Sequence, residues 1–157
     1  MISAWRIVKA KYSSDAFSGE GARLAGGRWN SPGVRVVYTA ATASLAMLEM
    51  LVHLQSHEVM GAYVIIDVRF DESIVEIIEA SALQRTWQRS PAPPSLRRIG
   101  DAWVRQRRSA VLAVPSAVVP AERIYILNPA HAGFAAVEIG RPQPVKFDAR
   151  LLKSAET

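Results

Sequence analysis

The chain contains no cysteine. Disulfides and thiolate metal sites are therefore excluded, and three histidines are a thin supply for a zinc centre, so no metal is expected. No apolar run approaches the roughly eighteen residues needed to cross a bilayer. The opening stretch, MISAWRIVKAKY, lacks the apolar segment of a signal peptide, and the expectation is a cytoplasmic protein without a membrane partner. Acidic side chains are also in the minority, 14 against 19 Lys and Arg. Any chemistry must then come from Arg, Tyr, Glu, Ser, His or a bound organic molecule.

What is present is globular material. Half of the 157 residues are hydrophobic and 21% are charged, enough apolar surface for one domain spanning 1–157. The net charge is +5 and the pI is near 10.0, and Arg97, Arg98, Arg105, Arg107 and Arg108 crowd into one short span. Such a balance suits an acidic partner or nucleic acid. No recognised nucleic-acid module accompanies it, so direct nucleic-acid binding is not expected.

The densest signal lies between Gly19 and Gly33, GEGARLAGGRWNSPG, with five glycines in fifteen residues. A loop of this composition turns tightly and lets backbone approach a ligand. Arg23 and Arg28 lie inside it, and a guanidinium beside exposed amides suits phosphate, which its planar fork can bind through two oxygens. Val34 to Thr39 reads as a strand that delivers Tyr38. Thr39 or Thr42 can cap a following helix over Leu45 to Leu54, whose apolar spacing implies a largely buried element. Its acid is Glu49. Glu49, His53 and His57 fall four apart on one stripe, which is equally the solvated side of a core helix; a His53/His57 metal pair lacks an HExxH pattern.

Elsewhere the reading alternates strands with a few helices. Ala4 to Val8 forms a first strand with Arg6 opposite Trp5 and Ile7; Gly61 to Phe70 and Ser73 to Ile78 follow. Ala80 to Pro94, with three prolines at its end, reads as a flexible surface segment. Leu96 to Arg108 is a basic amphipathic helix, open to docking of an acidic partner or to solvent. Ala110 to Val114, Ile124 to Leu127, Ala135 to Ile139 and Pro144 to Phe147 complete the strands. The fold class is α+β, a compact split β core with flanking helices. Ser116, after a strand and a proline, lacks the GxSxG elbow of a nucleophile, and LNPAH at 127–131 resembles a turn.

In order along the chain, GEGARLAGGRWN, VVYTA, LAMLEMLVHL, IGDAW, VPSAVVPAER, LNPAH and FDARL together resemble the RES-domain toxins of bacterial toxin-antitoxin pairs. The likeness runs from Trp5 to Leu151. It implies a fold similar to the ADP-ribosyltransferase toxins, NAD+ as substrate, and a cognate Xre-type antitoxin. It places the family's arginine on Arg28, its tyrosine on Tyr38, its glutamate on Glu49 and its serine on Ser116, whose hydroxyl is expected to bond the cofactor or Glu49, with Asn30 of GGRWN also expected at the NAD+ site. Arg6 sits where related transferases keep a polar NAD+ contact. One departure is Ala132, where the family carries proline. The acceptor of ADP-ribose stays open between water, phosphate and a protein target. Two other readings remain: a basic RNA-binding or ribonuclease-like toxin without NAD+ chemistry, and an inert binding module.

Overall fold

A computed structural model describes residues 1–54 and 61–151. Its centre is a mixed sheet in which strands run in the order β4-β5-β6-β2-β1-β3-β7, with β8 also on β3. The strands are β1 (Ile2–Lys9), β2 (Val37–Ala40), β3 (Tyr63–Phe70), β4 (Val75–Ile77), β5 (Val111–Pro115), β6 (Arg123–Leu127), β7 (Glu138–Ile139) and β8 (Gln143–Val145). All pairings are antiparallel except β4 with β5. Three α-helices flank the sheet among the described residues: α1 (Glu20–Ala25), α2 (Ala43–Leu51) and α3 (Pro94–Arg105).

The fold class is α+β, as the alternation of patterns implied, and the sheet has a narrow waist. β1 and β3 pair along their full lengths. β1 and β2 meet only at Trp5 and Ala40. Two half-sheets, β4-β5-β6-β2 and β1 with β3, β7 and β8, therefore join at a seam one residue pair wide. Beyond that pair Arg6 takes over, its Nη1 donating to the Tyr38 carbonyl at 3.1 Å and its Nε to the Ala16 carbonyl at 2.7 Å.

Strand period puts alternate residues on opposite faces, and here both faces are covered. Leu112, Val114, Ile124 and Ile126 pack with Leu45 of α2 and with Leu96 and Trp103 of α3, whereas Val111, Ala113, Tyr125 and Leu127 pack with Phe70, Val68 and Val137. That double burial explains why β5 is an unbroken apolar run.

Several boundaries differ from the sequence pattern, each for a local reason. The segment after Gly19 is a short helix before it is a loop: glycines of positive φ at Gly19 and Gly26 bracket α1, and Glu20 holds Arg23 and Arg35. Thr42, not Thr39, caps α2, accepting from the Leu45 amide at 3.0 Å, while Thr39 Oγ1 donates to the Tyr125 carbonyl. α2 is only half covered. Leu45 and Ala46 are buried, but Leu48 and Val52 are 40% and 58% exposed. The segment 80–94 is anchored where flexibility was expected, because Trp87 inserts into the core. The basic helix stops at Arg105: the Arg107 amide donates to the Val104 carbonyl and the Arg108 amide reaches back to Trp103, a Schellman closure with Arg107 at φ 51°. Residues 132–136 form a 3-10 turn, leaving a two-residue β7.

Candidate active site

The glycine loop folds around Asn30. Asn30 is wholly buried, and its Nδ2 donates to the carbonyls of Ala22 (2.9 Å), Val34 (3.0 Å) and Ser31 (3.3 Å). Its Oδ1 accepts the Tyr38 hydroxyl at 2.6 Å, which in turn accepts the Trp29 amide at 3.1 Å. One side chain thus ties α1, the loop and β2 together. Burial pushes the Tyr38 phenol well above its ordinary range, so it remains a donor at neutral pH. A Cβ on Gly27 would stand 2.6 Å from that hydroxyl, which is why glycine precedes Arg28.

Arg28 projects from this framework toward the segment 87–89, its Nη1 donating to the carbonyls of Trp87 (3.0 Å) and Arg89 (2.9 Å). Carbonyls hold a guanidinium without neutralising it. Arg23, the loop's other arginine, is committed to Glu20, its Nε to Oε2 at 2.8 Å, so the sequence-based pairing of Arg23 with phosphate is set aside in favour of a helix-surface ion pair.

A second unneutralised cation lies at the seam. Burial lowers the Arg6 pKa to about 10, leaving it charged at neutral pH, and its hydrogen bonds run to carbonyls alone. A half-buried cation with no carboxylate bonded to it among the described residues is left with charge that an anion can complete.

The acid comes from α2 and is aimed by the turn after β5. Ser116 is wholly buried and its Oγ donates to Glu49 Oε1 at 2.8 Å. The same oxygen accepts the amides of Val118 (3.1 Å) and Val119 (3.0 Å). A serine hydroxyl has one proton and two lone pairs. With both lone pairs occupied, the proton is committed to Glu49. The turn also grips the other end of the helix: the Thr42 hydroxyl donates to Glu122 Oε1 at 2.7 Å, and the Glu122 carbonyl accepts the Ser116 amide. α2 is thereby fixed in rotation, with the half-buried Glu49 carboxylate held at one oxygen.

The residues expected at the site fall into two groups. Tyr38 and Asn30 are bonded to each other, and Glu49 and Ser116 are bonded to each other. Arg28 belongs to the first group by its loop and reaches a third segment. Ser116 was expected to bond the cofactor or Glu49, and its hydroxyl is on Glu49; Asn30 was expected at the cofactor, and its side-chain amide is engaged inside the chain. His53 is exposed, and His57 lies outside the described residues. LNPAH is a structural clasp: His131 Nδ1 accepts the Gly133 amide, so Nε2 carries the proton and donates to the Arg107 carbonyl. Sequence reasoning offered Thr42 as a cap but missed its bond to Glu122, a partnership across 80 residues with no local signal.

Among the described residues no helix is long and apolar enough to cross a membrane. The chain resembles proteins called Toxin Res from Yersinia enterocolitica, 34% identical over 94% of this chain and 97% of that one, and from Photorhabdus laumondii, 35% identical over 96% and 97%. A protein called Prs ADP-ribosylating toxin, from a Sphingobium species, is 32% identical over 98% of both chains. The fold is shared with the crystal structure of the M. tuberculosis MbcT-MbcA toxin-antitoxin complex, at a TM-score of 0.77 and 19% identity, over 96% of this chain and 86% of that one. The RES domain model matches residues 3–148, and the chain belongs to the RES-domain family.

Proposed function

We propose that this chain is the toxin of a toxin-antitoxin pair and acts by cleaving the bond between nicotinamide and ribose in NAD+. The observation that carries the reading is the Glu49 carboxylate aimed by a buried serine whose only proton it receives. Two cations without a bonded carboxylate among the described residues, Arg6 and Arg28, support it by offering places for a pyrophosphate. The name of the Sphingobium relative points the same way.

In this reading the ribosyl C1′–N bond breaks with its electron pair passing to the pyridine nitrogen, which loses its positive charge. The sugar is left cationic. Glu49 stabilises that developing charge and holds the nicotinamide ribose through its 2′-hydroxyl, as carboxylates do in glycoside cleavage. Arg28 exchanges the carbonyls of Trp87 and Arg89 for phosphate oxygens. Tyr38, its hydroxyl engaged inward, offers its ring to the nicotinamide. Asn30 and Ser116 position these groups. The acceptor, whether water, phosphate or a protein side chain, bonds to C1′ and releases its proton. Neutralisation by an antitoxin, of the Xre type the resemblance implies, completes the pair.

A carboxylate about 4 Å from a developing charge, at an effective dielectric near 20, contributes roughly 4 kcal/mol, and about 1.4 kcal/mol is a factor of ten in rate. Glu49→Gln should therefore slow nicotinamide release on the order of a thousandfold. The test is chromatography of NAD+ incubated with wild type and variant, with and without phosphate or cell lysate, followed by mass spectrometry for ADP-ribose on products and proteins. No nicotinamide from the wild type under any of these conditions, or equal release from Glu49→Gln, rejects the reading.

A further inference from the structure

α3 carries much of the arginine-rich segment, yet part of one face is engaged on the loop that presents Arg28. Arg97 and Asp101 are four residues apart and so neighbours on the helix surface. Arg97 Nε donates to the Gly27 carbonyl at 2.9 Å. Asp101 receives both donors of Ser31, the amide on Oδ1 at 2.9 Å and the hydroxyl on Oδ2 at 2.6 Å. Alongside them Gly100 presses against Trp29, where a Cβ would stand 1.7 Å from the carbonyl oxygen. Two of the contacts straddle residues 28–30, since Gly27 immediately precedes Arg28 and Ser31 follows Asn30, and the third falls inside at Trp29. The helix is a splint across the base of one guanidinium.

The signs of the charges make the splint directional. A cation meets a carbonyl at one end and an anion meets two donors at the other, so exchanging Arg97 with Asp101 would undo both. Among these contacts Asp101 stands out, because both its oxygens go to one loop residue and hydrogen bonds to a carboxylate are the stronger kind. Arg28 itself is bonded to carbonyls of a different segment. The loop backbone therefore decides where Arg28 starts, and Asp101 holds that backbone from the helix side at Ser31.

We propose that Asp101 is a positioning residue for NAD+ binding, acting through Ser31 to place Arg28. The inference rests on the reading of Arg28 as the group that meets the pyrophosphate. Binding should suffer more than chemistry, because Glu49 is held by a different part of the fold, the turn at 116–122.

The test is steady-state turnover of NAD+ by Asp101→Ala, Asp101→Asn, Ser31→Ala and Arg98→Ala, with amide hydrogen exchange across residues 27–31 on the same proteins. Asp101→Ala should raise KM about tenfold or more while kcat stays within about threefold. Asp101→Asn keeps an acceptor for the Ser31 amide and should recover most of the loss. Arg98→Ala, exposed on the same helix, should match wild type. An unchanged KM in folded Asp101→Ala, a fall confined to kcat, or an asparagine variant as poor as alanine overturns the proposal. If Asp101→Ala does not fold, Ser31→Ala decides: losing only the hydroxyl bond, it should raise KM about threefold, and a wild-type KM overturns the idea. If the wild-type protein releases no nicotinamide, the proposed function falls by itself. The splint is then judged by exchange alone, faster amides at 27–31 in Asp101→Ala supporting it and unchanged amides overturning it.

Discussion

The two halves of the site are built to different standards of redundancy. On the loop side, Asn30 alone makes four hydrogen-bond contacts to four residues, and α3 adds a clasp of its own. On the acid side, the aim of Glu49 depends on one hydroxyl proton, that of Ser116. The loop is secured as a piece of structure; the acid is secured as a direction. Damage on the first side should therefore appear as lost stability or weak binding, and damage on the second as slow turnover.

Asn30→Asp should break the loop side hardest. It replaces the donor facing three carbonyls with an oxygen in a fully buried place, a loss of about 3–5 kcal/mol, read as a lower denaturation midpoint. A variant as stable as wild type would show that the loop does not hang on this side chain. Ser116→Ala sharpens the other half. Turnover should fall about tenfold or more through kcat, since a charged hydrogen bond to Glu49 is lost. Stability should fall by about 1–2 kcal/mol as two amides lose their acceptor. A fall in KM affinity with kcat intact would assign the serine to the wrong half.

The smaller effects concern α3. Arg107→Gly relieves a non-glycine residue at φ 51° and should add about 1 kcal/mol, a rise in melting temperature of about 2–4 °C for a chain of this size. The double reversal Arg98→Glu with Arg105→Glu falls on exposed positions and should leave nicotinamide release where it was. A collapse of activity in that folded variant would move the comparison's boundary onto the helix's outer surface.

Much of the architecture could be read from local pattern. β3 and β6 declare themselves by apolar content and length, and the glycine-to-arginine run marks the loop. Pattern fails where the determining contact is distant. Local pattern near Ser116 does not indicate a carboxylate 67 positions away, which only the family resemblance offered as a partner, and nothing near Thr42 points to Glu122. Trp87 is one aromatic in a polar, proline-rich stretch, so its insertion into the core carries no periodic signal. α1 was hidden because glycines at 19 and 21 look like loop, while the Glu20 and Arg23 pair that stabilises the turn is a single spacing. The end of α3 was misplaced because arginine occupies the left-handed position where glycine would have announced a stop.

The one-pair waist between β1 and β2 also bears on how the molecule comes apart. The polypeptide passes from one half-sheet to the other between β1 and β2, β2 and β3, β3 and β4, and again between β6 and β7. Neither half is a contiguous stretch of chain, so no single cut releases one intact. The weakest line of backbone pairing is laced shut by connectivity, so the protein should melt as one unit.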